Sequence, residues 1–271
     1  MVRSLWTAAT GMIAQQTNVD TIANNLANVN TNGYKTQVNE FKNLLYQNIQ
    51  TKTTTANGER KPSSAQVGLG VRNASITSIF SQGSLLATEN DTAFAIDGKG
   101  FFSVQGEDGE TYYTRNGNFQ FTLGTDGNML ATTEGLPVLD TKGRAIVLSK
   151  EYVISQITVT EDGNLCYPDE ANNPQPIGIQ IGVFQFNNPN GLEKLSESRY
   201  RTTDASGQPI NEAENVHVEK SNIIQGYLEG SNVQVVDEMV NMIVAQRAYE
   251  LNSKAITASD EMMQQANNLR N

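Results

Sequence analysis

Apolar residues recur with helical spacing at both ends of the chain and with a period of two between them. Leu5, Met12, Val19 and Leu26 stand seven residues apart, and Ala8, Gln15, Ile22 and Val29 fill the companion positions three residues on. That is the a/d pattern of a helix packing along another helix. Asn32-Gly33 marks its end, because both residues tolerate the left-handed backbone that closes a helix. Near the C-terminus, Val244, Ala248, Leu251, Ala255, Ala258, Met262 and Leu269 trace one stripe. Val235, Met242, Ala245, Tyr249, Ile256 and Met263 trace a second beside it. This predicts a helix from about Asn232 to Leu269, roughly 50 Å long. Ser231 or Asn232 is its expected cap, and Asp237 and Glu238 sit favourably near the positive end of its dipole.

The middle reads as strands. "AFAIDGKGFFSVQ" (93–105), "TYYTRNGNFQFT" (111–122), "NMLATTEGLPVL" (128–139), "AIVLS" (145–149), "SQITVTEDGNLCY" (155–167) and "IQIGVFQF" (179–186) are the candidate runs. Asp97-Gly98, Asp108-Gly109, Asn116-Gly117, Asp126-Gly127 and Asp162-Gly163 punctuate them; such dipeptides favour tight hairpin turns because both central residues can take positive φ. The expected fold class is therefore α+β. Long N- and C-terminal helices form a coiled-coil-like bundle, and a β-rich antiparallel domain lies between them. The boundaries expected are 1–33 with 230–271 for the helical part, 34–83 for an extended connector or insertion arm, and 84–229 for the β domain. Within the arm, residues 48–75 are rich in Thr, Ser, Gly and Lys and would order only against a partner.

Composition excludes several functions. The net charge of −10 over 271 residues argues against nucleic acid, whose phosphates need clustered Lys and Arg. No apolar run is long enough to span a membrane, and the N-terminus lacks the apolar core of a cleaved secretory signal. Cys166 stands alone as a small strand filler and forms no intrachain disulfide. His217, the one histidine, alternates with Val216 and Val218 and reads as a strand residue rather than a general base. The nucleophile-elbow, zinc-protease and phosphate-loop motifs are missing. "GKGFFS" (98–103) leads into a strand instead of a helix, so it does not suit phosphate. The acidic turns supply one or two carboxylates each, too few for a calcium loop. The expectation is a protein that is not an enzyme, with no catalytic residue, no cofactor and no metal.

The helical ends point to assembly. Between Arg3 and Lys35 the only charge is Asp20, so the face opposite the apolar seam is amide and hydroxyl: Thr10, Gln16, Thr17, Asn24 and Asn28. A solvated face normally mixes both charges. Two apolar stripes on the C-terminal helix want more than one neighbour, yet the chain offers only one other long helix. The inference is a polymer whose terminal helices bundle within and between subunits, buried amides setting their register. The candidate interface is Leu5, Met12, Val19, Ile22, Asn25, Leu26 and Val29 on the first helix. On the second it is Val240, Val244, Ala248, Leu251, Ala255 and Met262.

"ANNLANVNTNGYK" (23–35) closely resembles the signature shared by bacterial flagellar axial proteins. The opening "MVRSLWTAATGMIAQQTN" (1–18) is similar to that of the distal-rod members of the family. "AIDGKGFFSV" (95–104), "YTRNGNFQF" (113–121) and "GYLEGSNVQVVDEMVNMIVAQRAYELNSKAI" (226–256) resemble its middle and C-terminal segments. The resemblance implies a structural subunit of a hollow tubular drive shaft, the terminal helices lining the channel and the β domain facing outward. It implies export without a cleaved signal through the flagellar type III apparatus and a place in the extracytoplasmic basal-body rod. Its partners would be further copies of itself, proximal rod proteins, the hook protein, the export apparatus, a rod cap and the ring (bushing) proteins, with neither nucleic acid nor membrane insertion. Residues 48–75 match an insertion that orders between subunits and stiffens the rod. A proximal rod or hook-like subunit is the alternative within the family. A secreted β-rich adhesin with coiled-coil ends is the alternative outside it.

Overall fold

The computed structural model describes residues 2–50, 65–124, 127–169, 173–196, 198–215 and 218–269. The fold is α+β: helix α1 (Val2–Ala27), a β-rich middle, and helix α2 (Val235–Asn268). His217 with Val216, Asp126, and positions 51–64 of the expected arm lie outside the described residues. The chain divides into two compact units. One comprises Met1–Ala27, Gln37–Thr77 and Gln234–Asn271; the other comprises Asn28–Thr36 and Ser78–Val233. The segment expected as a connector, 34–83, is thus shared between the two units, and 28–33 belongs with the β unit.

The second unit is built on a six-stranded sheet. Its order is Glu193–Lys194, Arg199–Arg201, Thr111–Thr114, Phe101–Gln105, Val183–Gln185, Ile210–Asn211. Neighbours in it run antiparallel, with Phe102 opposite Thr114 on one side and Val183 on the other. The strand Phe101–Gln105 departs from the expected alternation: Phe101, Phe102, Ser103 and Val104 are all buried. The reason is that both of its faces are covered. Phe102 and Val104 enter a core with Ile96, Phe119, Leu130 and Ile181. Phe101 enters a second core with Tyr113, Phe186 and Tyr200. Edge-to-face rings fill both, Phe102 against Phe119 at 5.1 Å and Tyr113 against Phe186 at 4.9 Å. Cys166 is a buried free thiol in the strand Asn164–Pro168.

Four of the five expected turn glycines use the left-handed backbone. Gly98, Gly109, Gly127 and Gly163 do take positive φ, but among the described residues Ser198 is the only non-glycine that does so. Asp97, Asp108 and Asp162 therefore keep ordinary backbone, and glycine alone carries each reversal. Gly117 has no positive φ; it is small because a Cβ there would overlap the carbonyl oxygen of Phe94. That closeness lets the Phe94 N–H donate to the Gly117 carbonyl at 3.0 Å, tying the start of the strand Phe94–Asp97 to the segment just before the strand Phe119–Leu123.

In the first unit, the strand Gln37–Asn43 pairs with Val71–Ser78, and Tyr46–Gln50 pairs antiparallel with Ala65–Gly68. The described parts of 48–75 are thus strand, apart from Leu69 and Gly70 between two of them. Leu45, Tyr46 and Ile49 of this unit stand exposed.

Candidate assembly site on the terminal helices

Helix α1 forms from a run whose only charges are Arg3 and Asp20 and ends at Ala27, ahead of the expected stop at Asn32-Gly33, with Gly33 in the left-handed region at φ +69°. Helix α2 is 34 residues long. Its cap is not the one expected: Gln234 occupies the N-cap without a side-chain bond. Ser231 instead accepts from the N–H of Val233, and Asn232 bonds Thr36, Ile79 and Ser81. Asp237 and Glu238 do stand in the first turn of α2, where the helix dipole favours them.

The two helices lie antiparallel within the first unit. Ser4 Oγ is 3.3 Å from Ser259 Oγ, Gly11 faces Asn252, and Asn25 Nδ2 donates to Glu238 Oε2 at 3.3 Å. These pairs keep one register, each heptad step toward the C-terminus of α1 matching a heptad step toward the N-terminus of α2. Gly11 lets the Asn252 side chain approach closely: a Cβ at Gly11 would lie 2.9 Å from the Asn252 amide nitrogen. The seam that joins the helices inside the chain is therefore small and polar. It lies rotated from the expected line, with Leu5, Met12, Val19 and Leu26 half-buried on its flank and Ala8 and Ile22 buried.

Asn25 is buried and spent within the chain. Its Oδ1 accepts from the Gln37 N–H at 2.9 Å, and its Nδ2 donates to the Gln37 carbonyl at 2.8 Å. Asn25→Ala is expected to cost about 1–3 kcal/mol, because both backbone groups of Gln37 lose their partner. Denaturant unfolding, with faster amide exchange at Gln37, measures it.

Opposite that seam, α2 carries an uncovered apolar face. Val236, Val240, Ile243, Val244 and Leu251 all point outward, Val244 at 61% and Leu251 at 66% exposure. Ala255 and Met262 continue the face, Ala248 is half-buried at its margin, and Trp6 and Ile13 are exposed on α1. Of the expected interface residues, those on α2 apart from the half-buried Ala248 are exposed in the subunit, while Ile22 and Asn25 are already covered. Val29 is half-buried and belongs to the β unit.

A second cluster, in the β unit, escaped the reading of the sequence. Lys35 Nζ lies 2.6 Å from Glu229 Oε1 and Arg115 Nη1 lies 3.3 Å from Glu229 Oε2, with no side chain of the three more than 2% exposed. Lys35 also donates to the Ser81 carbonyl at 2.7 Å, Arg115 to the Gly98 carbonyl at 2.9 Å, and the Gly83 N–H to Glu229 Oε1 at 2.9 Å. Burial pushes the Lys35 ammonium below its usual range, against the pull of Glu229, and Arg115 is shifted the same way by burial. One signal was available: Lys35 is the only charge in "ANNLANVNTNGYK", and Glu229 the only one in "GYLEGSNV". The described residues contain no cluster of potential metal ligands.

Three family models match successive parts of the chain. Residues 5–35 match "Flagella basal body rod protein", residues 95–167 "Flagellar hook protein FlgE/F/G D1 domain", and residues 224–269 "Flagellar basal body rod FlgEFG protein C-terminal". Proteins called flagellar basal-body rod protein FlgG are similar over nearly the whole length. That of Borreliella burgdorferi is 43% identical, covering 100% of this chain and 99% of its own. That of Agrobacterium fabrum is 40% identical, covering 96% and 97%, and that of Bacillus subtilis is 36% identical over the full length of both. The chain belongs to the FlgG family of flagellar basal-body rod proteins. It is a structural protein of the flagellar basal body, which sets aside the adhesin alternative.

Proposed function

We propose that the chain is the subunit of the distal rod, a hollow helical polymer that transmits torque from the basal-body rotor to the hook. The observation that carries this is the uncovered apolar face of α2 from Val236 to Leu251, on a helix whose opposite side is already packed on α1. Water-exposed apolar faces of this extent mark association sites, and further copies of the same helices supply the matching surface. In this reading α1 and α2 bundle as a coiled coil with those of neighbouring subunits and line the export channel. The β unit faces outward, and residues 48–75 order between subunits. Proximal rod and hook proteins would abut its ends, and the rod cap, export apparatus and rings would meet it during assembly. The role is mechanical, and no step of it is catalytic.

Footprinting tests this. Val240→Cys and Leu251→Cys are expected to react readily with a maleimide in the free subunit, where both sites are exposed and the native Cys166 is buried. The same positions should be protected in purified basal bodies. Equal labelling in both states would refute an interface on this face.

A further inference from the structure

Helix α1 holds two large apolar side chains in water, Trp6 at 68% and Ile13 at 64% exposure. They stand seven residues apart and so share one face of the helix. A different face of α1 borders an open groove of about 430 Å³. Gln16 and Val19 form one wall of it, and Gln246, Tyr249 and Glu250 of α2 form the other. Val19 and Leu26, again seven residues apart, are half-buried on that flank of α1. Knobs and sockets thus share one spacing, with thirteen residues from Trp6 to Val19 and thirteen from Ile13 to Leu26. Along a helix that offset is about 20 Å. Charge selects the same offset. Arg3 and Asp20 are the two charges of α1; both are exposed, and neither forms an ion pair among the described residues. Glu250 at the groove is already held by Arg247 at 2.8 Å, which leaves Asp20, one turn beyond Gln16, as the open acid of that flank. A thirteen-residue shift sets Arg3 beside Gln16 of a neighbouring copy, one turn from Asp20 and within reach of its carboxylate. A six-residue shift would also lay Trp6 and Ile13 on the apolar flank, at Met12 and Val19, but it leaves Arg3 beside Ala9 with no acid within a turn.

We propose that α1 of one copy docks in parallel on the helix pair of the next, offset by about 20 Å along the axis. Trp6 seats in the groove at Val19 and Tyr249, Ile13 packs on Leu26, and Arg3 pairs with Asp20. Trp and Arg are among the side chains that most often anchor an interface. The giving and receiving faces of α1 differ, so the contact does not close on a pair. It adds copies one after another, as a helical polymer requires. The proposal rests on the reading of the chain as a rod subunit, and it engages the groove rather than the outer face of α2.

Disulfide cross-linking in isolated basal bodies tests this, since the native Cys166 is buried and does not compete. Trp6→Cys and Val19→Cys on one chain should give, on oxidation, a ladder of dimers, trimers and higher species, and so should Ile13→Cys with Leu26→Cys. Each single variant should stay monomeric. Trp6→Cys with Met12→Cys, which reports the six-residue offset, should give no ladder. Should Trp6→Cys block assembly, the Ile13 and Leu26 pair decides, together with a charge exchange. Arg3→Asp and Asp20→Arg should each shrink swarms in soft agar, and the double exchange should restore them, with secretion of the subunit at the wild-type level in all three. Assembled rods that give no ladder from either matched pair, or a double exchange that swarms no better than the worse single variant, would overturn the contact and leave the rod reading standing. Failure of the rod reading shows differently, as wild-type subunit missing from isolated rods.

Discussion

Val244→Asp combined with Leu251→Asp is expected to abolish rod assembly while leaving the subunit folded. Both side chains lie on the outer face of α2, and neither touches the Ser4–Ser259 and Asn25–Glu238 seam that joins the helices within the chain. Exposed substitutions away from such contacts usually shift stability by about 0.5 kcal/mol or less, so circular dichroism and the melting temperature should change little. Assembly is another matter. Each apolar side chain buried between subunits contributes about 1.5–3 kcal/mol, and an unpaired carboxylate in the same place costs more than that gain. The penalty recurs at every subunit of a polymer. Cells carrying the double variant should be non-motile in soft agar and lack complete rods in electron micrographs of basal bodies. Motile cells with normal rods would show that this face lies outside the contacts between subunits.

Phe102→Ala should have the largest effect on the β unit, destabilising it by about 3–5 kcal/mol. Phe102 is fully buried, and its ring meets Phe119 edge-on at 5.1 Å and 79°. It also sits on the strand that pairs with both Thr111–Thr114 and Val183–Gln185, so the void opens at the centre of the sheet. Urea unfolding followed by the tyrosine signal near 113 and 200 would read it, since the one tryptophan, Trp6, lies on α1. Leu123→Ala is the control: with 85% of Leu123 already in water, its removal should be nearly neutral. A loss below about 1 kcal/mol for Phe102→Ala would mean that the core relaxes around the gap.

Both helices and the β-rich middle were legible because hydrophobic period reflects local backbone geometry. Helix α2 starts three residues later than expected at Val235 and stops one residue before Leu269, and α1 closes ahead of Gly33. Three details were not legible, each for a stated cause. Asn232 was a sound candidate cap by residue type, but Thr36, Ile79 and Ser81 compete for its side chain. Asn116-Gly117 has the composition of a turn, yet its glycine answers to the nearness of the Phe94 carbonyl, 23 positions earlier in the chain. The Phe101-Phe102 pair breaks alternation because cores lie on both sides of its strand, which no local pattern announces.

By itself the amino-acid sequence determined the class of fold, the approximate extent of the two long helices, and the family. All of these depend on residue type and spacing along the chain. Tertiary structure alone decided which helix face is covered inside the subunit and which is left to others. Heptad spacing offered Leu5, Met12, Val19 and Leu26 with Ala8, Gln15, Ile22 and Val29 as the seam; Ala8 and Ile22 are buried, but beside them Ser4, Gly11 and Asn25 meet α2, since small and amide side chains let the two helices approach and bond there. It also decided that Lys35, Arg115 and Glu229 share one dry site. A charge in a sequence looks solvated until folding removes the water, and which opposite charge replaces that water depends on segments nearly two hundred residues apart.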